Sequence, residues 1–160
     1  MSVAFTKEES AETASETLLP DLPISTEPNL VTEAGLKALH DNLETARKAY
    51  DAASLIEDVN DRRREAASPL RDLRYYSQRV RTAQLMQPPA QKNTVAFGST
   101  VTFSRDDGRS QTYRIVGEDE ADPKSGSISY VSPLARALMG KSVDDIAVLG
   151  EKEIEITDIA

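Results

Sequence analysis

Apolar residues recur at helical spacing along the first half of the chain, beginning just after Thr32. They alternate at intervals of three and four residues, at Leu36, Leu39, Leu43, Ala46, Tyr50 and Ala53. Such a heptad seam lies on one face of an α-helix, and Thr32 is a suitable N-cap. A second seam follows at Leu73, Tyr76, Val80 and Ala83. The two seams predict an antiparallel helical hairpin, a coiled-coil stalk, over residues 30–87.

The turn of this hairpin is predicted near residue 61, midway between the seams, with the tip over residues 57–64. Pro69 leaves two alternatives, because proline is tolerated in a first helical turn but bends a helix interior. Either the descending helix starts at Pro69, with Ser68 as its cap, or it bends there. Consecutive prolines then end the helical region, and residues 88–94 are predicted to be a linker.

Alternating apolar and polar residues predict β-strands in the second half of the chain. The strands are expected over residues 100–103, 111–117, 127–131 and 153–159. Residues 132–140 form a short helix, with Ser132 as N-cap, Pro133 in the first turn and Gly140 past the end. The predicted fold class is α+β: a helical hairpin followed by a small antiparallel sheet domain with one short helix, residues 95–160.

The N-terminal segment has a different composition from the rest of the chain. Residues 1–29 combine glutamate, serine, threonine and proline with few large apolar side chains. Such a segment buries too little surface to offset the entropy of ordering it, so we expect a disordered acidic tail. Leu18 and Leu19 are candidates for transient docking on a partner.

Composition excludes several kinds of site. The chain has no cysteine and a single histidine, His40, which lies in a charged amphipathic run. Thiolate zinc sites, cysteine nucleophiles and Ser-His triads are therefore not expected, and we predict neither a cofactor of its own nor a stand-alone enzyme. No apolar run reaches the roughly 18 residues of a membrane span, and a signal-peptide pattern is lacking. We expect a cytoplasmic protein that binds no membrane.

Charge is unevenly distributed along the chain. The net charge is −8, yet residues 61–87 carry seven arginines against three acids. This arginine block is either a solvated helix surface or a local site for an anion, such as an RNA phosphate or an acidic protein surface. A pI of about 4.7 argues against general coating of DNA, which requires a basic domain.

The predicted tip concentrates both signs of charge. Residues 56–66 hold four acids and three consecutive arginines, with Asp58 and Asp61 three positions apart and Glu57 adjacent. The stretch fits an ordinary solvated helix face, a metal-chelating tip, or a charged tip held out on a stalk.

The second half of the chain resembles the C-terminal domain of the GreA/GreB family of transcript elongation factors. The resemblance is carried by VAFGSTVTF, by YRIVGEDEADPKSGSISYVSPLARALMGKSVDD and by the preceding TAQLM, while NLVTEAGLKAL is similar to the start of the family's coiled coil. It implies an FKBP-like domain that binds bacterial RNA polymerase at the rim of the secondary channel. It also implies a monomer whose coiled coil reaches the catalytic Mg²⁺ of the polymerase with an acidic tip.

The resemblance assigns roles to particular residues. Asp58 and Asp61 correspond to the tip carboxylates, which would assist the polymerase Mg²⁺ and bind metal only in that complex. The polymerase contact falls on Val131, Ser132 and Pro133. The family's basic patch on the coiled coil implies that Arg71, Arg74, Arg79 and Arg81 contact the nascent RNA in the secondary channel. The consecutive Arg62, Arg63 and Arg64 depart from the family's tip, and they would either neutralise the neighbouring acids or bind the RNA as well.

The length of the stalk qualifies this assignment. Gly35 to Ala83 spans 48 positions, about two heptads fewer than in the family's cleavage factors, which shortens the stalk by about 10 Å. Metal coordination tolerates errors of only tenths of an ångström. The resemblance therefore implies a shortened variant with weak or absent stimulation of transcript cleavage. The alternatives are a true cleavage factor acting through Asp58 and Asp61, and a regulator similar to the nucleoside diphosphate kinase regulators, without a cleavage role.

Overall fold

The computed structural model describes residues 18–160. In chain order the elements are β1 (Leu30–Val31), α1 (Glu33–Ser54), α2 (Val59–Thr82), β2 (Gln84–Leu85), β3 (Thr100–Arg105), β4 (Ser110–Val116), a 3₁₀ turn (Pro123–Ser125), β5 (Ser127–Ser129), α3 (Pro133–Leu138), β6 (Ile146–Leu149) and β7 (Lys152–Ile159). The chain divides into two compact units. Among the described residues, a hairpin unit contains 18–26 and Leu39–Thr82, and a sheet unit contains Glu27–Ala38 and Ala83–Ala160.

Helix α1 begins at the predicted cap. The Thr32 hydroxyl oxygen accepts a hydrogen bond from the backbone N–H of Gly35 at 3.0 Å, which confirms the N-cap. One residue in each heptad of the seam is buried, at Leu39, Ala46 and Ala53. The remaining seam positions of α1 are half-buried. The predicted heptad seam is therefore confirmed for this helix.

Helix α2 runs through Pro69 without interruption, so a helix that starts at Pro69 is wrong. The turn between the helices also lies earlier than predicted, at residues 55–58 rather than 57–64. It closes through two backbone hydrogen bonds that span three residues: Leu55 N–H donates to the Ala52 carbonyl and Ile56 N–H to the Ala53 carbonyl, both at 3.2 Å. Asp58 then caps the second helix. A helix starts where its first N–H groups find an acceptor, and the midpoint of two apolar seams does not detect this.

The segment Leu18–Thr26 belongs to the hairpin unit and differs from the disordered tail predicted there. Its Asp21 carboxylate lies 3.0 Å from the Arg74 guanidinium. Leu18 lines a groove beside Tyr50 and Leu70. Ion pairs as exposed as Asp21–Arg74 typically stabilise a fold by about 1 kcal/mol or less, so this contact orders the segment only weakly. Residues 1–17 of the predicted tail lie outside the described residues.

The sheet unit contains a five-stranded sheet in the order β5-β4-β3-β7-β6. Its pairs are antiparallel except β4–β5, which is parallel with Ile115 opposite Ile128. The predicted antiparallel sheet therefore includes one parallel pair at its edge. A parallel partner requires a connection that returns the chain to the same end of the sheet, and the segment 117–126 makes this return. Strand β6 was not predicted.

One face of the sheet and helix α3 form the core of this unit. The largest fully buried side chains of this core are Val101, Phe103, Ile115, Leu138, Ile154 and Ile156. The opposite face is polar, and on it the hydroxyls of Thr102 and Thr112 lie 2.9 Å apart. This arrangement gives the predicted fold class: a helical hairpin followed by a small, mostly antiparallel sheet with one short helix.

A two-residue parallel pair, β1–β2, brings together the residues that precede α1 and those that follow α2. Gln84 N–H donates to the Asn29 carbonyl at 2.8 Å, and Met86 N–H donates to the Val31 carbonyl at 2.9 Å. In the same unit, the Thr32 hydroxyl donates to the Glu120 carboxylate at 2.6 Å. Residues 30–38 and 83–87 therefore belong with the sheet unit, which differs from the predicted hairpin boundaries of 30–87.

Gly117 makes the close approach of β1 possible. A Cβ at this position would lie 2.3 Å from the Leu30 carbonyl oxygen, a backbone atom that cannot rotate away. We expect Gly117→Ala to lower the free energy of unfolding by about 1–3 kcal/mol, as overpacking does. Amide hydrogen exchange at Gln84 and Met86 should accelerate, because both N–H groups bond to the displaced segment. A variant with unchanged stability and unchanged exchange would contradict this account.

Candidate functional sites on the hairpin and sheet units

The hairpin tip is built by the capping of α2. Asp58 precedes the helix, and its carboxylate accepts a hydrogen bond from the backbone N–H of Asp61 at 2.9 Å. Its carbonyl accepts from the N–H of Arg62, also at 2.9 Å. Asp58 is therefore the N-cap, and Asp61 is the third residue of the helix. The three-position spacing of these acids thus has a local structural cause, beside any role in catalysis.

The tip carboxylates face solvent. Glu57, Asp58 and Asp61 are exposed, and Asp61 forms an ion pair with Arg64. Within residues 18–160, no three histidine, aspartate or glutamate side chains are grouped closely enough to hold a metal ion. Two hydrated carboxylates one helical turn apart are hard oxygen donors of the kind Mg²⁺ prefers. They are suited to completing the coordination of an ion that another molecule already holds.

Most of the predicted RNA-contacting arginines have acceptors within the hairpin unit. Arg62 donates to the Ile56 carbonyl at 3.0 Å, and Arg64 pairs with Asp61. Arg71 and Arg74 pair with carboxylates at 3.2 Å and 3.0 Å. Arg79 is 2% exposed, so the prediction that it contacts RNA is wrong, because a buried guanidinium cannot reach a phosphate. These arginines therefore do not form one unpartnered basic face.

Arg62 and Arg63 come together beside the tip. They line an open groove of about 520 Å³ with Leu18, Tyr50, Ser54, Ala66, Ala67 and Leu70. Among residues 18–160, Arg63 has no hydrogen-bond or ion-pair partner, so its charge is available to an anion. The sequence pattern did not reveal this groove, because one wall comes from the segment predicted to be disordered.

The predicted polymerase contact is a single loop in the sheet unit. Ser132 caps α3 by accepting a hydrogen bond from Ala135 N–H at 3.2 Å, and Pro133 occupies the first helical turn. Val131 N–H donates to the Ser129 hydroxyl at 3.2 Å. Pro133 is exposed, whereas Val131 and Ser132 are half-buried. The three residues lie together on a backbone fixed by capping.

Glu27 and Pro28 border this loop through contacts that the sequence pattern does not predict. The Tyr130 hydroxyl donates to the Pro28 carbonyl, and Arg136 lies 3.3 Å from the Glu27 carboxylate. These partners are more than 100 residues apart in sequence, and no local pattern signals such contacts.

In the part of the chain that the structure describes, no helix combines the length and apolar character needed to cross a membrane.

Comparison with known proteins gives consistent matches. Residues 90–160 match the family model described as transcription elongation factor GreA/GreB, C-terminal. Transcription elongation factor GreB of Neisseria meningitidis serogroup B is 36% identical over 153 residues, covering 82% of this chain and 93% of that protein. GreA of Sphingopyxis alaskensis is 37% identical over 131 residues, covering 78% and 77%. The solved structure of GreA factor homolog 1 of Thermus thermophilus is 23% identical with a TM-score of 0.40, covering 84% of this chain and 99% of its own.

Proposed function

Since this chain belongs to the GreA/GreB family of transcription elongation factors, we propose that it binds bacterial RNA polymerase and regulates elongation. The extent of the match to GreB supports this proposal. It covers 93% of that protein at 36% identity, so it is not confined to the sheet unit. The chemistry of RNA hydrolysis would belong to the polymerase, with this chain supplying at most metal-assisting carboxylates.

We assign the polymerase contact to the loop formed by Val131, Ser132 and Pro133. Capping by Ser132 fixes the backbone of the loop, and an exposed proline adds a rigid apolar surface. A rigid contact of this kind loses little conformational entropy on binding. The acidic composition of the sheet unit makes a broad electrostatic contact with nucleic acid unsuitable for this surface.

Pro133→Ala should weaken competition with a GreB protein for RNA polymerase by about tenfold, because one exposed apolar anchor of the contact is removed. Alanine is compatible with a first helical turn, so α3 should remain folded. Pro123→Ala is the matched control, since Pro123 opens the 3₁₀ turn of the same unit and is also exposed. An equal loss in both variants, or no loss in either, would contradict the assignment of the loop.

The hairpin is proposed to enter the secondary channel of the polymerase with its tip leading. Helices of 22 and 24 residues are about 33 Å and 36 Å long. The exposure of Asp58 and Asp61 supports a role near the polymerase Mg²⁺, and Arg63 is placed to contact nascent RNA. The short stalk supports weak or absent stimulation of cleavage, with competition against longer cleavage factors as its main consequence.

A further inference from the structure

One edge of the five-stranded sheet leaves apolar side chains exposed. Strand β6 is the last strand in the sheet and, among residues 18–160, no strand pairs with its other side. Its Ala147 is fully buried, whereas Ile146 and Val148 are 53% and 60% exposed. We call these two residues and the free side of their strand the β6 edge. Elsewhere the exposed side chains on this face of the sheet are polar, so Ile146 and Val148 form an unusual aliphatic surface at its margin.

The backbone of the β6 edge is open as well. Ile156 N–H donates to the Asp145 carbonyl at 3.0 Å. In an antiparallel ladder alternate residues bond to the partner strand, so Ala147 and Leu149 direct their backbone groups toward β7, as the Asp145 carbonyl does. The N–H and C=O groups of Ile146 and Val148 therefore point along the free side. An edge with open backbone groups and exposed aliphatic residues is a template for another strand.

Acidic residues surround this edge. On β7, Glu155 lies opposite Ile146 and Glu153 lies opposite Val148, and both are exposed. Two aspartates precede β6, Glu151 follows it, and Lys152 is the single basic residue between positions 144 and 155. The aliphatic side chains of β6 therefore lie beside the carboxylates of the neighbouring strand β7.

We propose that the β6 edge binds an extended basic segment of another protein, which adds as a further strand. Neighbouring strands are about 4.8 Å apart, so the backbone of such a segment would lie about 10 Å from β7. Lysine or arginine side chains facing outward can lay their aliphatic stems over Ile146 and Val148 and direct their charges to Glu155 and Glu153. Added strands bind through main-chain hydrogen bonds, with specificity from alternate side chains.

A second copy of this chain fits the edge less well. Antiparallel pairing of β6 with itself would match the aliphatic residues but place Asp144 and Asp145 of each copy beside Gly150 and Glu151 of the other, which brings acids together. Each copy also carries a net charge of −8. Electrostatic complementarity therefore favours a basic partner. The β6 edge does not include the loop preceding α3, so a basic segment can bind there whether or not that loop binds polymerase.

The test uses the isotopically labelled full chain and a synthetic peptide of alternating lysine and valine. We expect chemical-shift changes at β6 and β7, and slower hydrogen exchange at the N–H groups of Ile146 and Val148. Reversing both acids, Glu153→Lys with Glu155→Lys, should weaken binding by about tenfold. The matched control is Glu44→Lys with Asp51→Lys, the same charge change at two exposed positions of the hairpin unit.

A further variant separates strand addition from attraction by charge alone. Val148→Pro removes one outward N–H, which edge strands tolerate, and should abolish the peptide-induced protection. A peptide with its lysines and valines in separate blocks should bind poorly. Equal loss of binding in the control pair, or shifts confined to helix α2 or to Val131–Pro133, would overturn the proposal. So would a dimer that Val148→Lys makes monomeric, because that result assigns the edge to a second copy.

Discussion

Replacing Asp58 and Asp61 together with asparagine is expected to abolish any stimulation of transcript cleavage while leaving the hairpin folded. Asparagine caps helices as well as aspartate does, so the bond from Asp61 N–H at 2.9 Å has an acceptor in the variant. A neutral amide is a much poorer Mg²⁺ ligand than a carboxylate, because the ion prefers charged oxygen donors. The measurement is the rate of RNA cleavage in backtracked polymerase complexes, with circular dichroism to verify folding.

The control for this experiment carries the same charge change elsewhere. Asp106→Asn with Asp107→Asn alters two exposed acids of the sheet unit and should leave cleavage unchanged. Strong stimulation that survives the tip substitutions would refute the role of the tip acids. Strong stimulation that depends on them would instead refute the argument from stalk length. A protein that neither stimulates cleavage nor competes with GreB would favour the regulator class without a cleavage role.

The second large effect concerns stability. Ile156→Ala should lower the free energy of unfolding by about 2–5 kcal/mol, because a fully buried aliphatic side chain is lost and a cavity remains. Ile156 is 0% exposed and lies opposite Phe103 in the sheet. Such a loss is a large fraction of the roughly 5–15 kcal/mol that stabilises a typical domain. Urea denaturation, monitored through the amide signals of the sheet, measures it.

Ile146→Ala provides the matched comparison on the adjacent strand. Ile146 is 53% exposed, so the same substitution there removes little buried surface. We expect a change within about 0.5 kcal/mol, as is usual for surface positions. Similar losses in both variants would contradict the core assignment and would indicate that Ile146 is covered in solution.

Local signals account for the features that the sequence predicted well. The seam of α1 and its Thr32 cap depend on residues within one or two turns of each other, and both are confirmed. The short helix α3 follows from Ser132 and Pro133 in the same way. The predicted tip lies a few residues too far along the chain, because the midpoint of two seams takes no account of the capping residue Asp58.

Features that depend on distant contacts were not predictable from pattern. The two-residue strands β1 and β2 are too short to show alternation. Strand β6 was missed because its buried residue is the small Ala147 while its larger residues are exposed, the inverse of the usual pattern. Arg79 was expected at the surface because arginine is rarely buried. The roles assigned to the tip acids, the arginines and the loop before α3 stay predictions.

The β1–β2 pair makes the helical hairpin an insertion whose two ends are fixed side by side. Only 52 residues separate Val31 from Gln84, and hydrogen bonds from Gln84 and Met86 close this stretch at its base. Adding or deleting one heptad in each arm would move the tip by about 10 Å and leave the seam and the closure unchanged. Closure entropy changes only slowly with length. Insertions and deletions can therefore tune the length of the hairpin, and a graded series of such variants would measure how far the tip must reach if the proposed insertion into the polymerase channel holds.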